Sequence, residues 1–181
     1  PELFVYTAPR IAGGSVYVGE KGICCALDLT SGEVKWSRSL DQRDESTASF
    51  RRGVAGRDVP CYAGPLVFGQ LLIVLVPGRG LLALHQESGE IAWEVELANG
   101  KLAPAAPALE GEVLVSAGDV NKLMVLEAST GKVMWHREVL EGDYPTGLTV
   151  AGGRIYVTTP VGGVRCFDLW SGELQWRFET G

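Results

Sequence analysis

A six-residue signature recurs four times along this chain and narrows what the chain can fold into. Ser31-Gly32-Glu33-Val34-Lys35-Trp36 returns as Ser88-Gly89-Glu90-Ile91-Ala92-Trp93. It returns again as Thr130-Gly131-Lys132-Val133-Met134-Trp135, and as Ser171-Gly172-Glu173-Leu174-Gln175-Trp176. The rule is Ser or Thr, Gly, Glu or Lys, an aliphatic residue, any residue, then Trp. Successive tryptophans stand 57, 42 and 41 residues apart. A period near forty residues matches one four-stranded supersecondary unit repeated along the chain. The longer first interval holds an insertion, placed at about residues 39–60. The units then span approximately 7–38, 62–97, 104–139 and 145–179.

Each unit reads as four strands. A short first strand, such as Pro65 to Phe68, is followed by a glycine turn. A β-branched or aromatic second strand comes next, as in Val16-Tyr17-Val18 and Ile155-Tyr156-Val157. The third strand holds triplets such as Leu82-Ala83-Leu84, and the fourth carries the Trp. The fourth strand alternates, which places Ile91, Trp93, Val95 and Leu97 on one face and Glu94 and Glu96 on the other. Leu174, Trp176 and Phe178 repeat the alternation. No segment sustains a helical period, so an all-β chain with almost no helix is expected.

The turn before each fourth strand has its own chemistry. Asp28 and Asp168 precede Ser31-Gly32 and Ser171-Gly172 by three residues, where a short carboxylate accepts hydrogen bonds from turn amides. Gly32, Gly89, Gly131 and Gly172 supply the positive φ that closes each hairpin. His85 and Glu127 replace the Asp in the middle units, so those turns are expected to be less well capped.

Composition removes several functions. The formal net charge of -6 argues against a nucleic-acid binder, which presents a basic face. No apolar stretch reaches the length of a membrane span, so no membrane insertion is expected. The chain opens on Pro1 with no visible signal peptide and reads as trimmed or excised from something longer. Four cysteines (Cys24, Cys25, Cys61 and Cys166) form no CxxC pair, and His85 and His136 lie in different units. A zinc site and a nucleophile–base pair are both unexpected.

Ala26-x-Asp28-x-x-Ser31-Gly32-Glu33-x-x-Trp36 resembles the tryptophan-docking motif of pyrroloquinoline-quinone (PQQ) dehydrogenase propellers. Units two to four carry the motif from Ala83, Val125 and Cys166 to their tryptophans. The resemblance implies a β-propeller of four four-stranded antiparallel blades, part of a seven- or eight-bladed ring. It implies that Trp36, Trp93, Trp135 and Trp176 pack between neighbouring blades, as structural rather than catalytic groups. Relatives of this kind include dehydrogenases, assembly scaffolds of the BamB type, and sensor propellers attached to kinases or hydrolases. A periplasmic or cell-envelope location is implied by the resemblance alone. Four blades leave two open edges, which a longer parent chain, a second copy completing an eight-bladed ring, or closure of a four-bladed ring would cover.

Adjacent cysteines lie against the cofactor in quinone-dependent alcohol dehydrogenases, which draws attention to Cys24-Cys25. Neighbours on a strand point to opposite faces, so two small packed side chains are expected instead. A quinone with calcium needs convergent cations and oxygen ligands, and the sequence assembles no such set. No catalytic, cofactor-binding or metal residues are therefore assigned. The insertion carries mixed charge and reads as a solvated loop, with Phe50, Arg51 and Arg52 as a partner-contact anchor if it binds. Trp170 occupies a turn position where the other units have Thr30, Glu87 and Ser129, and is the second contact candidate. Tyr144, in the connection before unit four, is the third. The expected function is a non-catalytic binding or scaffold module, its partner another protein or a further domain of its parent chain. The alternatives are part of a PQQ-dependent dehydrogenase, or a ligand-sensing propeller attached to a kinase or hydrolase.

Overall fold

A computed structural model describes residues 8–20, 23–40, 64–76, 79–97, 105–119, 121–139, 144–160 and 162–179. They form sixteen strands and no helix. Blade 1 comprises β1 (Arg10–Ala12), β2 (Ser15–Glu20), β3 (Ile23–Asp28) and β4 (Val34–Ser39). Blade 2 comprises β5 (Leu66–Phe68), β6 (Leu71–Val76), β7 (Gly80–His85) and β8 (Ile91–Glu96). Blade 3 comprises β9 (Ala108–Glu110), β10 (Val113–Asp119), β11 (Lys122–Glu127) and β12 (Val133–Glu138). Blade 4 comprises β13 (Gly147–Ala151), β14 (Arg154–Thr158), β15 (Gly163–Asp168) and β16 (Leu174–Glu179). Each blade is one antiparallel sheet in chain order. Among the described residues no helix is long and apolar enough to cross a membrane.

The blades stack face to face. First strands approach one another, β1 beside β5 and β9 beside β13, and so line the inner side of the arc. Three apolar seams lie between blades. The first joins Tyr17, Cys24, Ala26 and Leu40 to Leu72, Val74, Leu82 and Leu84. The second joins Ile73, Leu75, Leu81 and Ala83 to Leu114, Leu126 and Ala128. The third joins Val113, Val115, Leu123 and Val125 to Val150, Ile155, Val157, Phe167 and Leu169. Blade 2 feeds two seams because successive residues of a strand face opposite ways. The run Leu71 to Val76 is therefore apolar throughout instead of alternating, as expected of a strand buried on both faces.

Two expectations need correction. Ser39 belongs to β4 and Leu40 is buried in the first seam, so the blade continues into the range given to the insertion. The remainder, with Phe50, Arg51 and Arg52, lies outside the described residues. The second correction concerns the signature itself. Ile91 does not share a face with Trp93: Ile91 packs into the first seam and Trp93 into the second. The pairing of β7 with β8 slips between Ala83 and Leu84, so Ala83 opposes Trp93 and Leu84 opposes Ile91. The extra residue, Ala92, is a β-bulge, and it reverses the face of everything beyond it. The same slip occurs in the other three blades.

Candidate functional site

The indoles at the seams are held by direction as well as by area. Trp36 Nε1 donates to the Gln86 carbonyl at 2.8 Å, Trp93 Nε1 to the Ala128 carbonyl at 3.1 Å, and Trp135 Nε1 to the Leu169 carbonyl at 3.0 Å. Each acceptor is in the turn of the next blade, one residue beyond its third strand. A buried indole N–H normally finds such a partner. The glycines complete the socket. A Cβ on Gly89 would stand 2.6 Å from the Trp36 ring, and one on Gly131 would stand 2.6 Å from the Trp93 ring. Gly172 faces Trp135 in the same way, with an approach of 3.0 Å. These glycines have φ of 70°, 71° and 68°, so both space and conformation require glycine. Arg137 lies over the Trp135 ring, 5.5 Å from its centroid.

Further links reinforce the seams. Tyr17 packs against Trp36 with ring centroids 6.2 Å apart, and its hydroxyl reaches Gln86. Glu110 accepts from the amides of Gly152 and Gly153 in blade 4. Arg79 grips Glu94 with two bonds of 2.6 and 2.7 Å and donates to the Leu40 carbonyl of blade 1. The Arg79 guanidinium lowers the Glu94 carboxyl below its usual pKa.

The turns divide in two classes. Asp28 Oδ1 accepts from the amides of Thr30 and Ser31, both at 2.9 Å. Asp168 Oδ1 accepts from Trp170 at 3.0 Å and Ser171 at 2.8 Å. The Ser31 amide, then that of Thr30, then Lys35, bring Asp28 down to a pKa of about 2. The amides of Ser171 and Trp170 lower Asp168 in the same direction. All four turns share a bond from the amide of the signature Glu or Lys to the Ser or Thr hydroxyl, at Glu33, Glu90, Lys132 and Glu173, and the outer two add the aspartate cap.

The remaining candidates stand apart. Cys24 is buried and Cys25 half-buried in β3. Cys166 is buried within β15 of blade 4, where burial raises its thiol pKa and Arg154 partly offsets the shift. Tyr144 is 44% exposed. Trp170 is 58% exposed and lines a cleft of about 330 Å³ with Glu112, Val113, Glu127, Lys132 and Met134. This cleft lies on the rim formed by the signature turns, at the third seam. Sequence reasoning found Trp170 and missed Met134, which is 47% exposed. The available signal was that Met134 takes the free position of the signature, where other units carry Lys35, Ala92 and Gln175. Among the described residues no group of three or more His, Cys, Asp or Glu side chains is placed to hold a metal ion.

Solved structures with this fold come from proteins of different activity. BamB from Moraxella catarrhalis is 22% identical, with a TM-score of 0.69 over 92% of this chain and 47% of that one. The quinohemoprotein alcohol dehydrogenase from Comamonas testosteroni is 15% identical, with a TM-score of 0.73 over 97% of this chain and 35% of that one. The Pan2 WD40 domain of Neurospora crassa is 14% identical, with a TM-score of 0.70 over 97% of this chain and 49% of that one. The chain thus spans about half or less of the length of these proteins. No curated protein matches it by sequence. Residues 78–181, more than half of the chain, match the family described as outer membrane protein assembly factor BamB. With three of its four docking tryptophans inside that match, this chain belongs to the BamB-type family of PQQ-like β-propeller repeats.

Proposed function

We propose that this chain is a non-catalytic binding module whose specificity lies on the rim around Trp170. One observation carries the reading: most of the signature residues are consumed by architecture, while Trp170 is 58% exposed and its ring serves none of the docking contacts. Three of the four signature indoles are hydrogen-bonded across seams, three signature glycines are pressed against rings, and both signature aspartates cap turns. Trp170 has no such duty in its ring and faces a shallow cleft beside Met134. Aromatic and methionine side chains are enriched where proteins meet, and Met adapts its shape to the partner. Likeness to an outer membrane protein assembly factor favours a protein partner, or a further domain of a parent chain, over a small substrate.

A photo-reactive amino acid at position 170 in the native host tests this. The expected result is one discrete protein adduct, absent when the same group replaces Glu87 at the equivalent turn of blade 2. The dehydrogenase alternative makes the opposite forecast. Stoichiometric uptake of PQQ and calcium, with dye-linked alcohol oxidation and no adduct at position 170, would overturn the binding-module reading.

A further inference from the structure

The signature turns of blades 1 and 3 share one frame but hold different charges. Ser15 pairs with Asp28 as Val113 pairs with Glu127. The Leu29 amide donates to the Gly14 carbonyl as the Ala128 amide donates to that of Glu112. Lys35 and Met134 take the same place in the signature. In blade 1 the frame binds a cation of its own chain. The Lys35 ammonium lies 2.9 Å from the Gly14 carbonyl, 3.0 Å from Ser15 Oγ and 3.2 Å from Asp28 Oδ2. In blade 4 a cation again serves the capping carboxylate, since Arg154 helps to lower Asp168. Blade 3 changes three of these groups. Met134 brings a thioether in place of the ammonium, Val113 removes the hydroxyl, and Glu112 adds a carboxylate where blade 1 has Gly14. Among the described residues neither Glu112 nor Glu127 forms an ion pair. Both line the Trp170 cleft, with Lys132 as its single cation, so negative charge is in excess beside an exposed indole.

We propose that this cleft takes a lysine or arginine side chain of the protein partner, its charge set between Glu112 and Glu127 and its aliphatic stem laid on Met134 and Trp170. The inference rests on the binding-module reading of the rim and adds the chemistry of what docks there. Lys35 is the precedent within the chain: an ammonium already fits the same frame one seam away. A cation beside an indole and two carboxylates gains from the ring quadrupole and from charge-assisted hydrogen bonds. The stem of a long basic side chain covers apolar surface while its head stays polar, which suits a cleft walled by Met134, Val113 and Trp170. Complementary charge at such a rim selects the partner and steers its approach. The formal net charge of -6 on the whole chain acts in the same sense.

The probe is a blocked pentapeptide with a central lysine between alanines, titrated to millimolar concentration into the full chain. The indole N–H signal of Trp170 in an NMR spectrum reports occupancy, and its loss in Trp170→Phe identifies it among the five tryptophans. The signal is expected to move with the lysine peptide and to move several-fold less with its Nε-acetyllysine counterpart. Equal movement with both peptides would overturn the proposal. Two substitutions at the exposed position 134 separate charge from shape. Met134→Lys supplies the ammonium that blade 1 carries and should abolish the response, whereas Met134→Glu should strengthen it. Equal responses in the two variants would also overturn the proposal. The same pair of substitutions, placed behind the photo-reactive group at position 170 in the host, keeps the two readings distinguishable. The adduct should be lost with Met134→Lys and retained with Met134→Glu. An adduct of equal yield in both backgrounds would leave the rim as a binding site and end the cationic assignment alone. No adduct in any background would end both.

Discussion

The seam between blades 2 and 3 and the outer face of blade 4 carry the same signature with different outcomes. Trp93 sits on Gly131, donates to Ala128, and packs among Ile73, Leu81, Leu114 and Leu126. Trp176 carries the same indole on the same strand of its own blade but stays 43% exposed. Local sequence is common to both. What separates them is a neighbouring turn that offers a carbonyl and a bare glycine. The signature is thus half of an interaction, and its energetic value depends on the blade that follows.

Truncation should separate the two sites most widely. Trp93→Ala is expected to cost about 3–5 kcal/mol, the range for removing a packed Trp. Trp176→Ala in this chain should cost about 1 kcal/mol or less. Chemical denaturation of both variants measures the difference, and equal losses would erase the distinction between closed and open faces. The glycines refine it. Gly32→Ala meets open space and should cost about 1–2 kcal/mol for its left-handed backbone alone. Gly131→Ala suffers the same backbone penalty and also drives a methyl into the Trp93 ring, adding about 1–3 kcal/mol.

A smaller effect concerns the turns. The folded pKa of Asp28, about 2, lies below its ordinary 3.8. Its cap therefore contributes fully above pH 3.8 and is lost as pH falls through about 2. A carboxyl titration by NMR should place the midpoint near 2, and a midpoint near 3.8 would show that the cap is not formed. Smallest of all, Trp170→Ala should change stability by less than about 0.5 kcal/mol. A larger loss of melting temperature would make that ring a structural group and remove it from the candidate rim.

Much of the architecture was legible because it is repeated. Four copies of a signature at one period gave the strand count of each unit, the turns and the docking tryptophans. Other features carry no such mark. The acceptors at Gln86, Ala128 and Leu169 are main-chain carbonyls, so their side chains differ freely and leave no pattern. The bulge at Ala92 was hidden because strict alternation predicts one face for Ile91 and Trp93, while one extra residue separates them. Met134 was invisible for the reason that makes it interesting: it fills the one signature position that varies most freely.

The bulge also gives the array a polarity. Within a single fourth strand the aliphatic residue leans toward the preceding blade and the indole toward the following one. A blade therefore has a front and a back that cannot be exchanged. Blades can add only in the sense in which the chain already runs: pairing two indole faces would leave no carbonyl between the rings, and pairing two of the opposite faces would leave the glycine sockets without a ring. One inserted residue per repeat thereby acts as a one-way coupling, limiting how blades are joined, duplicated or grafted.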